Sequence, residues 1–477
     1  MTTTYRKRQR IEVVLSDMGD GDRCFGRLAD GMAMFVSGPA AVGDRVAAEV
    51  TKIKPNYLEA RLVEVLDPSP SRITPPCVHF GVCGGCKWQH VDYAEQLRIK
   101  RKFVEDALAH IGGISGHVVL DPLPSPLPYA YRNKIEFSFG NRRFIPPSEL
   151  GRESSAARHD YALGFHAPGR FDKVIDIGTC LLATPFMNRV LDLTREFGLE
   201  RNLSAYDTRR HVGFLRNLVI RHAVGTDETM VYLITSEHDP RLMADFDAFL
   251  EAKLGGALTT LVNGITTRRN TVARGDRDIV VRGRGVIRER LGNLYFEISP
   301  TSFFQTNTVQ AERLYGEVLK SAGLTGHEVV FDLYCGTGTI GLWLAPHCRR
   351  VLGFEVEAAS IRDAEANARL NGIGNAEFLA VDLKDFTAAI RALPDVPFPD
   401  VVVVDPPRAG LHPRVVAGLR ALKPHRIVYV SCNPATLARD VRELCADGLY
   451  RLGSVQPVDL FPQTGHIECV APLNLAG

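Results

Sequence analysis

The sequence predicts a multidomain protein of the β and α/β classes. It divides into an N-terminal OB-like β-barrel over residues 7–67, a central α+β region over 70–320, and a C-terminal Rossmann-like α/β domain over 321–477. Three observations carry this reading: period-2 alternation between Gly-rich turns in the first region, a Cys-rich loop heading the second, and strands alternating with helices in the third. With 477 residues, 45% of them hydrophobic and 23% charged, the chain has the composition of an ordinary globular protein. Small stapled scaffolds, fibres and disordered tails are excluded. No apolar run reaches the roughly 18 residues of a membrane span, and the basic start MTTTYRKRQR has no apolar stretch behind it. The expectation is a cytoplasmic protein with no membrane partner. Lys and Arg exceed Asp and Glu by only two, so any nucleic-acid surface must come from local clustering.

The barrel is read from the short alternating runs Ile11–Leu15, Phe35–Val36, Arg45–Val50 and Glu59–Val65, with nothing helical between them. Barrels of this type bind RNA or serve as plain structural modules, and the charges here balance beyond the first ten residues.

The central region opens on Cys77, Cys83 and Cys86 in a C-x5-C-x2-C pattern set among Pro and Gly. Glycines allow the positive-φ turns that let several side chains converge, and a chain with no disulfide framework keeps such thiols available for a metal. A tetrahedral thiolate site needs a fourth ligand, and Cys180, after the apolar run Val174–Ile177, is the best candidate. Zinc and a [4Fe-4S] cluster both suit four thiolates. A helix is expected from Tyr93 to about His110 with Leu97, Val104 and Leu108 on its apolar face, followed by strands at Tyr131–Phe139 and Leu215–His222. Eight arginines between Arg268 and Arg290, against Asp276, Asp278 and Glu289, form either a basic RNA-facing patch or a solvated charged hairpin.

In the last region Val329–Tyr334 runs into Cys335-Gly336-Thr337-Gly338, a strand feeding a glycine turn and then a helix, which brings backbone N–H groups close to a nucleoside ligand. Glu355 ends a second strand, where a carboxylate can accept from ribose hydroxyls, and Asp382 ends a third, suited to an adenine amine. The fourth, Val401–Val404, runs into Asp405-Pro406-Pro407-Arg408. GTG, Glu, Asp and DPP at successive strand ends resemble the class I S-adenosylmethionine-dependent methyltransferases. A dinucleotide-binding domain fits less well, because the turn is not G-x-G-x-x-G and Asp-Pro-Pro would have no role.

Beyond the fifth strand, Arg426–Val430, Asn433 suits an N-cap and Pro434 a first helical turn, leaving Cys432 just outside a helix N-terminus whose dipole favours the thiolate. Glu468 interrupts an apolar strand near the C-terminus. Methylating uracil C5 requires a nucleophile that adds at C6 and a base that removes the C5 proton, and Cys432 with Glu468 supplies both.

The segments DLYCGTGTIG, DPPRAG, YVSCNPATLARD and DLFPQTGHIECV resemble those of the bacterial RNA 5-methyluridine methyltransferases, and the likeness runs over nearly the whole chain. It implies that the barrel is a TRAM domain and that Cys77, Cys83, Cys86 and Cys180 are the ligands of the [4Fe-4S] cluster of the ribosomal-RNA branch. The transfer-RNA branch typically lacks both. The implied activity is therefore 23S rRNA (uracil-C5)-methyltransferase; a tRNA (uracil-C5)-methyltransferase and a non-catalytic RNA-binding iron–sulfur protein are the alternatives. By the same resemblance Cys432 is the nucleophile, Glu468 the base and Asp405 a catalytic carboxylate that contacts both target base and cofactor pocket. Gln305, Tyr334, Gly336, Gly338, Glu355 and Asp382 would contact S-adenosylmethionine. Tyr334 stands where relatives carry Phe. The cysteine-based 5-methylcytosine enzymes match less well, since Arg408 occupies the place of their loop cysteine. A monomer acting on 23S rRNA is expected, because a large RNA supplies the extended interface.

Overall fold

The computed structural model describes residues 5–19, 21–114, 116, 118–146, 149, 160–385, 388, 390 and 397–477. Among the described residues no helix is long and apolar enough to cross a membrane.

Six strands make the N-terminal barrel: β1 (Arg10–Val14), β2 (Asp17–Gly19), β3 (Arg23–Arg27), β4 (Ala33–Ser37), β5 (Arg45–Ile53) and β6 (Tyr57–Asp67), ordered β1-β5-β6-β4-β3-β2. Alternation decides which side chains enter the core: Val46, Ala48 and Val50 of β5 point in, while Arg45 pairs outside with Glu12 and Asp67. At Gly26 a Cβ would lie 2.1 Å from the Val14 carbonyl oxygen, so only glycine lets β3 cross the end of β1. Arg72 clamps the exit of the barrel, donating to both oxygens of buried Asp44 at 3.0 and 2.8 Å.

Helix α1 (Tyr93–Asp106) starts at an Asp92 cap and ends in a π-turn over Ala107–Ile111. Its buried face differs from the expected one. Leu97 is only half-buried, whereas Gln96, Ile99, Lys100 and Val104 are inside. The cause is tertiary: Ile99 and Phe103 join Trp88 in the barrel core, Val104 and Leu108 pack on the C-terminal sheet, and Lys100 meets Asp459.

The middle sheet holds β7 (Lys134–Gly140), β8 (Ala162–Ala167), β9 (Arg170–Asp176), β10 (Leu215–His222), β11 (Thr229–Thr235), β12 (Thr260–Ile265) and β13 (Arg277–Arg282), in the order β13-β12-β11-β10-β7-β8-β9. Helices α2 (Pro185–Glu200) and α3 (Pro240–Leu254) pack together over it, with Phe197 against Phe246 at 4.9 Å. The arginine-rich stretch is not a bare basic hairpin. Arg268 pairs with Asp276, Arg282 with Asp247, Arg284 with Glu228 and Arg288 with Glu297, so half of its eight cations meet carboxylates.

The hairpin β14 (Ile287–Leu291) and β15 (Leu294–Ile298) and helix α4 (Thr308–Ala322) belong by packing to the C-terminal core. Ile287, Phe296 and Leu314 share one cluster with Val330, Val403 and Val430. The boundary expected near 320 thus lies further upstream in the packing, because this hairpin closes one face of the last sheet. That sheet contains β16 (Val329–Leu333), β17 (Arg350–Glu355), β18 (Ala376–Ala380), β19 (Val401–Val404), β20 (Arg426–Ser431), β21 (Tyr450–Leu452), β22 (Gln456–Val458) and β23 (Glu468–Leu475). Its order is β18-β17-β16-β19-β20-β23-β21, with β22 also on β23; the first five strands are parallel and β23 runs against them. Both faces are covered, so the strands read as continuous apolar runs: Val330 faces the α4 side, while Val329, Phe331 and Leu333 face the side of α7 (Pro413–Leu422) and α8 (Pro434–Leu444). Helices α5 (Thr339–Leu344) and α6 (Ala358–Leu370) make the crossovers from β16 to β17 and from β17 to β18.

Candidate active site

In a doubly wound sheet, ligands bind outside the carboxyl ends of the parallel strands, where the order reverses. Here β16 lies at that switch, between β17 and β19. Tyr334 (φ 64°), Gly336 (φ 53°) and Gly338 (φ 78°) bend the chain sharply from β16 into α5. A Cβ at Gly338 would come within 2.8 Å of Phe378, so the turn is packed tightly from behind. At Gly336 nothing lies within 4 Å of that position, and the backbone faces open space. Its N–H donates to Glu355 Oε2 at 3.3 Å, and Glu355 Oε1 accepts from the N–H groups of Val356 and Glu357 at 2.7 and 3.0 Å. Glu355 is thereby fixed at the end of β17, next to the glycine turn. Asp382 is exposed just past β18 and accepts from the Lys384 N–H at 3.0 Å.

Behind the turn, Asp332 is fully buried inside β16 and accepts from the Gly341 N–H of α5 at 2.8 Å. Burial, reinforced by the charges of Asp405 and Glu355, raises its carboxyl to about 8. Asp405 follows β19, with its N–H on the Leu333 carbonyl at 3.3 Å, and burial lifts it to about 7.

The β20–β23 ladder brings the remaining pair together. Ser431 is registered opposite Cys469, so one step further out Cys432 stands opposite Glu468, the first residue of β23. Asn433 caps α8 by accepting from the Ala435 N–H at 3.0 Å, and its side chain donates to the Arg408 carbonyl at 3.1 Å, bringing the Asp405–Arg408 segment beside Cys432. The thiolate expected from the helix dipole is not the resting form. Burial, then the charges of Glu468 and Asp405, push the Cys432 thiol up to about 11, with Arg408 pulling the other way. Glu468 is 5% exposed, and burial followed by Asp405 holds its carboxyl well above the ordinary range, again opposed by Arg408. The site is a buried cluster of two carboxyls and a thiol whose raised proton affinities the Arg408 charge opposes.

Gln305 lies in the loop between β15 and α4, half-buried, with its carbonyl held by Asn133 Nδ2 at 2.7 Å. Asn307, two residues on, donates to the Leu460 carbonyl at 3.1 Å and so docks this loop on the segment that leads to Glu468. The structure thus gathers Tyr334, Gly336, Gly338, Glu355, Asp382, Asp405, Cys432 and Glu468 along one sheet edge, with the Gln305 loop alongside. The sequence reading assigned no role to Arg408, although the arginine was visible in the Asp-Pro-Pro-Arg string. Nor did it find Asp332 or Lys100, which look like an ordinary strand acid and a surface helix cation until the tertiary packing is known.

Away from the crevice, Cys77, Cys83, Cys86 and Cys180 rim one cavity together with His79 and Gln89, all four half-buried and none in a disulfide. Among the described residues no trio of His, Cys, Asp or Glu is gathered tightly enough to grip a single metal ion.

Comparison with known proteins agrees with this geometry. The family profile described as tRNA (Uracil-5-)-methyltransferase matches residues 257–475, and that of the TRAM domain matches 6–63. An uncharacterized RNA methyltransferase of Chlorobaculum tepidum is 50% identical over 467 residues, 98% of this chain and 96% of its own. Another, from Porphyromonas gingivalis, is 42% identical over 93% of this chain and 96% of its own. Among solved structures, the Pyrococcus abyssi tRNA (uracil-54, C5)-methyltransferase in complex with S-adenosyl-L-homocysteine superposes with a TM-score of 0.73 at 30% identity, covering 97% of this chain and 100% of that one.

Proposed function

This chain belongs to the RNA uracil-5-methyltransferase family and carries an N-terminal TRAM domain, and from that premise we propose that it methylates C5 of a uridine in 23S rRNA. The observation that carries the chemistry is the Cys432–Glu468 juxtaposition across the end of the β20–β23 ladder, with Asp405 beside it. S-adenosylmethionine supplies the electrophilic methyl group. The residues fit it: Gly336 leaves open space above its backbone, and Glu355 and Asp382 present carboxylates at the next strand ends, with Tyr334 and Gln305 flanking.

The target uridine leaves its stack to enter the pocket. Cys432 loses its thiol proton to solvent, and its sulfur bonds to C6, which places an electron pair on C5. Asp405, poised near neutrality, donates a hydrogen bond from its protonated form to a uracil carbonyl as negative charge develops there. Once C5 carries the methyl group, Glu468, having first lost its own proton to solvent with Arg408 favouring the carboxylate, accepts the C5 proton, and the returning electron pair expels the sulfur from C6 as thiolate. Arg408 stabilises the anionic forms of both Cys432 and Glu468.

The four thiols support the ribosomal reading. They line one cavity, and four thiolates are a donor set that a [4Fe-4S] cluster takes. In this reading the cluster has no electron to transfer; it ties the Cys77–Cys86 loop to the strand before Cys180. Anaerobic purification should give brown protein with iron and sulfide near four each per chain, while colourless protein with stoichiometric zinc would refute the cluster. The full-length likeness to the Pyrococcus abyssi enzyme favours a tRNA substrate as the second reading. Mass spectrometry of nuclease-digested rRNA and tRNA from cells with and without the gene decides between them: loss of 5-methyluridine from a 23S fragment supports the first, and loss from tRNA alone the second.

A further inference from the structure

A second concavity, of about 490 Å³, opens on the middle sheet and is lined by Phe171, Tyr206, Arg209, His211, Arg269 and Asn270 among others. It lies well apart from the crevice. Tyr206 is bonded to Leu215 at the start of β10, while the Gln305 loop packs at the other end of that strand, where Arg221 donates to the Ser302 carbonyl and Asn133 to that of Gln305. Seven residues of extended strand separate the two, roughly 20–25 Å.

The pocket is built rather than incidental. Arg216, 4% exposed, stacks on Tyr206 with its guanidinium carbon 3.8 Å from the ring centre. It donates to the carbonyls of Thr266, Arg268 and Asn270 at 3.3, 2.7 and 2.8 Å, holding the Arg269 loop in place. These partners are neutral carbonyls, and the Asp276 charge acts on the guanidinium from nearby. On the other wall, Gly213 (φ 124°) allows a close crossing that a Cβ would block at 2.5 Å from the Ala205 carbonyl oxygen.

Charges are sorted by direction. Asp207 is turned inward, accepting from the N–H groups of Arg209 and Arg210 at 2.8 and 3.0 Å and from Asn141 at 2.9 Å, and Asp172 is buried under Arg209 at 2.6 Å. Arg209 pairs with Asp172 and Arg210 lies 3.9 Å from Asp207, yet their side chains stay 54% and 79% exposed, and Phe171 presents its ring to solvent at 66%. Outward guanidinium groups beside an exposed aromatic ring match the two faces of a nucleotide, an anionic phosphate and a flat base. An acidic peptide would need the charges but not the ring.

We propose that this pocket binds a single-stranded stretch of the RNA substrate several nucleotides from the target uridine, with one base stacked on Phe171 and flanking phosphates on Arg209, Arg210 and Arg269. The proposal rests on the reading of this chain as an RNA methyltransferase. Its test uses the full-length protein and a fluorescein-labelled mixed-sequence oligoribonucleotide of about twelve nucleotides, with Kd read by anisotropy at several salt concentrations. Phe171→Ala should weaken binding roughly ten-fold with the salt slope unchanged, and Phe171→Trp should restore it. Arg209→Ala with Arg269→Ala should weaken binding and lower the salt slope by about two. S-adenosylmethionine affinity, measured by calorimetry, should be the same in every variant. Unchanged RNA affinity in the variants, or polyglutamate competing as well as RNA does, overturns the pocket and leaves the proposed function standing. Phe171-dependent RNA binding without methyl transfer to rRNA or tRNA keeps the pocket and overturns the function. Wild-type protein that binds no RNA overturns both.

Discussion

Each residue at the crevice is set against its neighbours by charge. Cys432 is pushed up to about 11 by burial and by two carboxyls, so the proposed nucleophile rests as a thiol and must be ionised on the way to the adduct. If so, adduct formation on a short uridine-containing RNA rises with pH through the neutral range as the thiolate fraction grows. Arg408 is the group that opposes the shift, so Arg408→Ala should raise the Cys432 thiol further and move the pH–rate profile to the alkaline side, with Arg408→Lys in between; stopped-time gel assays of the adduct across pH would show this. The two proposed chemical roles separate by substitution. Cys432→Ala should leave no covalent adduct and no methylation. Glu468→Gln should still add and methylate but stall, giving a methylated adduct that survives denaturing gels. Full methylation by Cys432→Ala protein would sink the scheme.

At the level of elements, a side chain that bonds strand to helix sets how the glycine turn is held. Asp332 joins β16 to the Gly341 N–H of α5 from a buried position, and its carboxyl is raised to about 8 against an ordinary 3.8. A carboxyl that holds its proton more tightly when folded adds stability fully present below its unfolded value and lost as pH rises from about 4 to about 8. Asp332→Asn keeps the acceptor for Gly341 and removes the titration. It should unfold at a higher temperature than wild type at pH 8.5 and at nearly the same temperature at pH 4; equal differences at both pH values would refute the account. The strands around this turn were readable in advance because a sheet covered on both faces leaves largely apolar runs, interrupted in β16 by Asp332, and the runs from Val329, Val351 and Val401 end at Tyr334, Glu355 and Asp405 on the ligand edge. Helix α1 was less legible. Its period was right, but Leu97 is only half-buried and Lys100 is buried, since periodicity cannot tell a buried cation with a partner 359 residues away from a solvated one. The hairpin β14–β15 was assigned to the middle region for the same kind of reason: short alternating strands do not reveal which core they close.

Across the whole molecule, the long-range polar contacts converge on the segment that leads to Glu468. Lys100 and Asp459, both 0% exposed, pair at 2.7 Å, and Lys100 also donates to the Phe461 carbonyl at 3.1 Å. Tyr93 adds a hydrogen bond to Asp459 at 2.9 Å, Gln96 exchanges hydrogen bonds with Gln463 at 3.0 Å, and the Trp88 N–H reaches the Gln463 carbonyl at 3.1 Å. Helix α1, which packs against the barrel and follows the cysteine loop, is therefore bonded side chain by side chain to the loop before β23. A buried ion pair need not outdo a well-packed apolar pair, but removing one partner leaves the other charge stranded. Lys100→Met should then cost about 3–5 kcal/mol in urea unfolding. The double variant Lys100→Met with Asp459→Leu should recover much of that loss, because no charge remains buried. Its loop would keep the Gln96, Trp88 and Asn307 contacts but lose those of Lys100 and Tyr93, so methyl transfer should stay slow even where stability returns. A Lys100→Met protein as stable as wild type would show that the pair carries no structural weight, and a double variant with restored stability and full turnover would show that the Glu468 strand does not depend on helix α1.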